Sequence, residues 1–250
     1  MEKINKISWE IRNDIGIITL DRPPENYLDQ PELVHINQLK KWTSYDYLKG
    51  ILICGAGKHF SGGGKLDNLF EMIRDGEDIA KKMDDGKAVL DHLENLDIPV
   101  MAAIQGICFG AGLEIILACH IRICSENALF AFPEINHNIL PGLGGTVRFQ
   151  ELAGFPKALK MIMSGDMINA EDALEMRLVD FVAPKAKLFD FSFNLMQKMT
   201  KDRPLHVIHS VMRSLRNART MPVEEAMKEE TRLFCELAKK VALQRNGNGS

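Results

Sequence analysis

No stretch of this 250-residue chain is long and apolar enough to read as a membrane span. The longest apolar run starts at Ile98 and is broken by Pro99, Gln105 and Glu114, whereas a spanning helix needs about 20 apolar residues in a row. Basic excess is missing too. The 31 Lys and Arg stand against 34 Asp and Glu, a net charge of -3, which offers nucleic acid or an anionic membrane surface little to hold. Cys54, Cys108, Cys119, Cys124 and Cys235 are odd in number and form no CxxC pair. Buried free thiols in a reducing compartment are therefore expected, not disulfides or a metal centre. The opening MEKINKISWE lacks the apolar core of a signal peptide, so a cytoplasmic protein is expected. FSGGGK departs from the GxxxxGK[ST] phosphate loop, Ser61 is not in a GxSxG elbow, and no HxxxH occurs; these absences speak against a nucleotide-binding protein, a serine hydrolase and a metal site. Internal repeats are absent, and only residues 246–250 (NGNGS) are expected to be disordered.

What is present is an alternation of strands and helices. Apolar runs at 4–12 and 15–20, joined at Asn13-Asp14, predict a β-hairpin that Arg22-Pro23-Pro24 stops. Pro31 opens a predicted helix with Leu33, Val34, Ile36 and Leu39 at helical spacing. GILICG at 50–55 reads as a buried parallel strand. The glycine-rich loop KHFSGGG at 58–64 follows it, and ligands bind at such strand ends in α/β folds. Helices are predicted over 66–73 and 79–96, then strands over 100–104, 121–123 and 128–132. Further helices are predicted from 146, over 157–164, and over 169–177 with Asn169 as N-cap. After a last strand at 179–182 come helices alone, at 188–200, 204–217 and 223–243. This is the pattern of an α/β core over 1–184 with a helical lobe over 185–250.

Residues 98–145 carry the chemistry. The strand at 100–104 enters a glycine-rich turn, Gly106 to Gly112, that opens a short apolar helix containing Glu114. Glu134 follows Pro133 after another apolar strand. A carboxylate among apolar neighbours is costly unless it is paired, protonated or employed. Pairing of Glu114 with His120, Arg122 or Arg148 is one alternative, and Glu134 could be an exposed or capping residue. Two carboxylates in different surroundings can divide acid and base work. The loops at 58–64 and 106–112 each follow a strand and lead into a helix. The N–H groups of Gly64 and Ala111 could together form an oxyanion hole, although a glycine turn after a strand is often only a turn. Lys58, Lys65 and Arg22 could reach ligand phosphates or simply be solvated. His59, His120 and His137 show no ligand spacing.

Three blocks, in this order, resemble the crotonase superfamily, the enoyl-CoA hydratases and isomerases. They are HFSGGGKL (59–66), MAAIQGICFGAGLEIILAC (101–119) and FAFPEINHNILPGLGGTVR (130–148), with weaker similarity over nearly the whole chain. The resemblance implies an α/β crotonase-like spiral of ββα repeats with a C-terminal helical lobe used for trimers, often hexamers. It implies an acyl thioester of coenzyme A or of an acyl carrier protein as substrate, and no metal or redox cofactor. The thioester oxygen would sit between the N–H groups of Gly64 and Ala111. Glu114 would handle the water at the β-carbon and Glu134 the proton at the α-carbon. Arg22, Lys58, Ser61, Gly62, Lys65, Leu66, Gly110 and Gly142 would contact the substrate or its CoA. Hydratases of the family carry both glutamates, isomerases typically only the second, and decarboxylating relatives tend to lose the second. Hydration of an enoyl thioester, or the reverse dehydration, is therefore expected. Isomerisation, thioester hydrolysis, decarboxylation and a non-catalytic thioester-binding subunit are the alternatives. Lys65 stands where the family usually has aspartate, Ala111 where it has glycine, and His120 where many members have aspartate. Asn136-His137-Asn138 replaces a common Leu-Gly. These departures bear on the acyl group more than on the reaction.

Overall fold

A computed structural model describes residues 2–4 and 6–247. The chain starts with strands β1 (Glu2–Ile4), β2 (Ile7–Arg12) and β3 (Ile15–Leu20), then helix α1 (Ile36–Thr43) and strand β4 (Gly50–Gly55). Helices α2 (Leu66–Arg74) and α3 (Ile79–Glu94) precede β5 (Val100–Ile104), β6 (Ile107–Phe109) and α4 (Ala111–Leu117). Next come β7 (Ile121–Ser125), β8 (Leu129–Ala131), a 3-10 turn (Pro133–His137), α5 (Gly145–Ala153) and α6 (Phe155–Ser164). Strand β9 (Ile168–Asn169), α7 (Ala170–Glu175), β10 (Phe181–Ala183), α8 (Leu188–Thr200), α9 (Leu205–Thr220) and α10 (Val223–Gly247) complete the order.

The β2–β3 hairpin turns on Asn13 and Asp14, at φ 51° and 62°, the left-handed values a two-residue hairpin needs. From β3 onward the large sheet is parallel, in the order β1-β2-β3-β4-β5-β7-β10. Its central strands are buried on both faces, and the period of two decides which core each residue joins. Ile51, Ile53, Val100, Ala102 and Ile104 enter the main core with α3 and α4. Leu52, Met101 and Ala103 point the other way, against Leu188, Phe193 and Met196 of α8. The chain beyond Pro184 is helical: α8 packs on the large sheet, Ile208 of α9 joins the main core, and α9 and α10 pack on each other.

The site is positioned by a second, smaller sheet. After β5 the chain forms β6, and after β7 it forms β8, which pairs in parallel with β6. Ser61, six residues past the end of β4, bridges in parallel to Cys108 of β6. Three successive passes thus leave the large sheet and lay a short strand beside the previous one, which is a spiral. The sequence reading missed β6, taking residues 106–112 as one turn. It also began α1 too early. Residues 31–34 form a run of bends that brings Pro31 close to Gly86 of α3, where a Cβ would lie 2.9 Å from the Pro31 carbonyl oxygen, and α1 starts at Ile36. Asn169 caps α7 as predicted, accepting from the Asp172 N–H at 2.9 Å. Of the expected disordered tail, Asn246 and Gly247 close α10, and residues 248–250 lie outside the described residues. All five cysteines are free thiols, but Cys235 is exposed, not buried.

Candidate active site

The register of the small sheet places the site. Ser61 lies beside Cys108, and Cys108 beside Phe130. Three residues further along each strand stand Gly64, Ala111 and Pro133, so the three segments deliver their functional groups at one edge. The approach is close: a Cβ on Gly63 would lie 2.6 Å from the Phe109 carbonyl oxygen and 3.3 Å from the Ala111 nitrogen. Gly63 sits at φ 88°, a region open to glycine and strained for other residues.

Leu28 donates to the Gly63 carbonyl at 2.8 Å and accepts from the Lys65 N–H at 3.2 Å. In such a parallel bridge the residue in between, Gly64, turns its own N–H and C=O away from Leu28. The Gly64 N–H has no hydrogen-bond partner among the described residues. Ala111 is the first residue of α4, and its N–H is one of those a helix start leaves unpaired; it too has no partner among the described residues. Both residues line a cleft of about 690 Å³, with Glu114 and Glu134 in its wall.

Glu114 lies on α4 and is 2 % exposed. Its Oε1 accepts from the Leu143 and Gly145 N–H groups, both at 2.7 Å. Burial pushes its carboxyl above the ordinary range, while the two N–H donors and the charges of Arg148 and Lys87 pull it back. None of the three ion pairs considered for it forms. Arg148 pairs with Glu94 and Asp91, Arg122 pairs with Asp180, and His120 Nδ1 accepts from the Val100 N–H at 2.9 Å.

Glu134 sits in the 3-10 turn after Pro133. Its Oε2 is buried without a hydrogen-bond partner. Its pKa is pushed up to about 7, mainly by burial; its own backbone N–H opposes this and the Glu114 charge adds to it. Gly110 backs the carboxylate at φ 49° and ψ -122°, and a Cβ there would lie 2.7 Å from Glu134 Oε1.

Gly62, Lys65, Leu66, Gly110 and Gly142 also line the cleft. Lys65 is exposed at its lip, with Nζ 5.9 Å from the Tyr27 ring centroid. Three of the expected contacts lie elsewhere. The Ser61 hydroxyl is fully buried, donates to the Asn26 carbonyl at 2.8 Å and accepts from the Gly63 N–H at 3.0 Å. It braces the loop and does not face the cleft. Arg22 is paired with Asp29 and lines a smaller neighbouring cavity of about 290 Å³. Lys58 is exposed and lines neither cavity. The sequence reading missed Asn26, whose side-chain N–H groups hold the Ala56 and His59 carbonyls at 2.9 and 2.8 Å. It also missed Leu69, Met72, Met83 and Leu140, apolar residues of the cleft lining. The spread of these groups over four segments left no local pattern to read. No group of three or more potential metal ligands occurs among the described residues, and no helix there is long and apolar enough to cross a membrane.

A crotonase-type α/β spiral with a cleft of this make-up defines the class. The family model described as enoyl-CoA hydratase/isomerase matches residues 10–249, and the chain belongs to that family. It is 31% identical to the 2,3-dehydroadipyl-CoA hydratase of Escherichia coli, over 89% of this chain and 86% of that protein. It is 34% identical to the fatty acid oxidation complex subunit alpha of Idiomarina loihiensis over 92% of this chain, which spans about a third (34%) of that much longer relative. A crystal structure of an enoyl-CoA hydratase subunit from Geobacillus kaustophilus superposes with a TM-score of 0.84 at 26% identity, covering 95% of this chain and 91% of that one. An enoyl-CoA hydratase from Bacillus anthracis gives 0.83 at 26%, covering 92% and 90%.

Proposed function

We propose that the chain is a hydratase of 2-enoyl thioesters of coenzyme A, running equally in the dehydration direction. The observation that carries this is the convergence of two carboxylates and two unpaired backbone N–H groups on one cleft. The thioester oxygen takes the Gly64 and Ala111 N–H groups, which stabilise the enolate as it forms. Glu114, steadied by two backbone donors on Oε1, removes a proton from water, and the water oxygen bonds to the β-carbon. Glu134, titrating near 7, supplies the proton to the α-carbon; in reverse the two exchange roles. Gly62, Lys65, Leu66, Gly110 and Gly142 are proposed contacts of the thioester and its carrier. The apolar lining at Leu69, Met72, Met83 and Leu140 fits an unsubstituted hydrocarbon tail better than the second carboxylate that the E. coli relative's name implies. The exposed Leu215, Met227 and Phe234 of α9 and α10 are proposed to be covered in a homotrimer, or in a hexamer of two trimers.

The test is a spectroscopic hydration assay over straight-chain enoyl-CoAs and dehydroadipyl-CoA. The wild type should turn over the straight-chain thioesters, with product mass raised by one water. Glu114→Gln and Glu134→Gln should each lose about 10²–10⁴-fold in kcat. Both variants matching wild type, or a product of unchanged mass, would refute the reading.

A further inference from the structure

The two N–H groups that hold Glu114 come from a loop with little substance of its own. Residues 141–145 read PGLGG, and Gly144 sits at φ 98°. What fills the inside of this turn is a guanidinium. Arg148, in the first turn of α5, sends Nη1 back to the Leu143 carbonyl at 2.9 Å. The N–H of that same residue donates to Glu114 at 2.7 Å. Arg148 is itself fixed on two further sides. Its Nε donates to Glu94 Oε2 at 2.8 Å, and its Nη2 pairs with Asp91, both on α3. The second oxygen of Glu94 takes Arg219 of α9. The Arg148 and Glu94 side chains are only 11% and 14% exposed, so the pair is shielded from the screening that makes surface pairs weak.

We propose that Arg148 is a positioning residue for Glu114, acting through the Leu143 peptide, with Glu94 and Arg219 holding the guanidinium in place. This rests on the hydratase reading only for its catalytic consequence. Without the guanidinium, the Leu143 carbonyl loses its partner and the glycine-rich turn loses its filling. The two amides then no longer converge on one carboxylate oxygen, and the base drifts from the β-carbon. A displacement of about 1 Å costs on the order of 10²-fold in a positioned reaction. Glu134 stands on a different segment and has no hydrogen bond or ion pair with Arg148, Glu94 or Arg219 among the described residues; the Glu114 charge is its one link to them.

The experiment compares wild type with Arg148→Met, which keeps bulk and removes the donors, and with Arg219→Ala at the exposed end of the network. Two readouts are taken on the intact chain. The first needs no activity: amide hydrogen exchange of the 141–147 segment by mass spectrometry. Arg148→Met should exchange this segment about 10–100-fold faster while the α4 amides keep their protection. The second separates the two glutamates: kcat for enoyl-CoA hydration against solvent-deuterium uptake at the α-carbon of the saturated acyl-CoA. Hydration should fall about 10–100-fold in Arg148→Met and about 2–5-fold in Arg219→Ala, with deuterium uptake within about threefold of wild type. Unchanged loop exchange, or hydration and uptake falling together, would overturn the proposal. If Arg148→Met does not fold, Arg219→Ala decides by the same two readouts. A wild type silent on every enoyl thioester refutes the hydratase reading, and loop exchange still decides whether Arg148 positions Glu114.

Discussion

Glu114 and Glu134 share a cleft, a residue type and a largely apolar setting, yet the fold treats them differently. Glu114 is more deeply buried but has two backbone donors on one oxygen. Hydrogen bonds to a charged group contribute about 1.5–3 kcal/mol each, so the pair offsets much of the desolvation that burial imposes. Glu134 is less buried, but among the described residues its Oε2 has no partner, and the one donor that acts on it is its own backbone N–H. Burial outweighs that one donor, and the neighbouring Glu114 charge adds to it. The lesson is that depth alone does not set the state of a carboxyl group; the number of donors aimed at it does. In the proposed reaction this difference makes Glu114 the group poised to take a proton from water and Glu134 the group poised to give one.

The comparison can be broken from the Glu134 side without touching a glutamate. Gly110 lies against Glu134 Oε1, with φ 49° and ψ -122°, far from any region an L-residue adopts easily. Gly110→Ala forces the carboxylate to swing away and strains the backbone at the entry to α4. The expected result is a loss of about 10²-fold or more in kcat and a stability loss of about 1–3 kcal/mol, read by steady-state kinetics and denaturant titration. The matching change on the other side, Gly145→Ala, puts a Cβ 2.9 Å from Glu114 Oε1 at a residue with helical backbone, so it should cost activity with less backbone strain. If Gly110→Ala proves the milder of the two, the left-handed backbone at the entry to α4 does not carry the cost assigned to it.

Much of the site was legible because its signals are local. A glutamate inside LEIILA and another behind FAFP stand out as charges in apolar runs. A glycine-rich segment after GILICG marks a strand end. What stayed hidden depends on partners distant in sequence. Strand β6 is three residues, Ile107–Phe109, between glycines, and it is a strand only because β8 arrives twenty residues later to pair with it. Leu33 and Val34 have helical spacing, yet both are buried in a run of bends that passes close to Gly86 of α3 at Pro31. Arg22 and Lys58 are basic residues next to glycine loops, which is all that sequence can say. The structure sets Arg22 against Asp29 and leaves Lys58 exposed, and neither placement is written in the local sequence. In the sequence Arg148 is only a charge near Glu114, which suggests an ion pair. Its contact with the Leu143 carbonyl is made through backbone, and sequence does not show backbone contacts.

The smallest predicted effect is on stability, and it sharpens the comparison most directly. The Glu134 carboxyl titrates near 7 in the folded chain against 4.5 as its reference value. Below about pH 4.5 both states are protonated and the group makes no difference. As pH rises from 4.5 to 7 the unfolded chain ionises first, so stability falls across that window and stays reduced above it. Glu134→Gln removes this loss. Relative to wild type it should gain about 1–3 kcal/mol near pH 8, seen as a rise of about 2–8 °C in Tm, with no gain near pH 4. Glu114→Gln should gain less over the same window. Its carboxyl is raised too, but the Leu143 and Gly145 donors already favour the charged form, and a glutamine oxygen accepts from them less strongly than a carboxylate. Melting curves of the two variants and wild type at both pH values decide the matter. Equal gains for the two variants, or a gain for Glu134→Gln that does not depend on pH, would mean that both carboxyls pay the same desolvation and that donor number does not separate them.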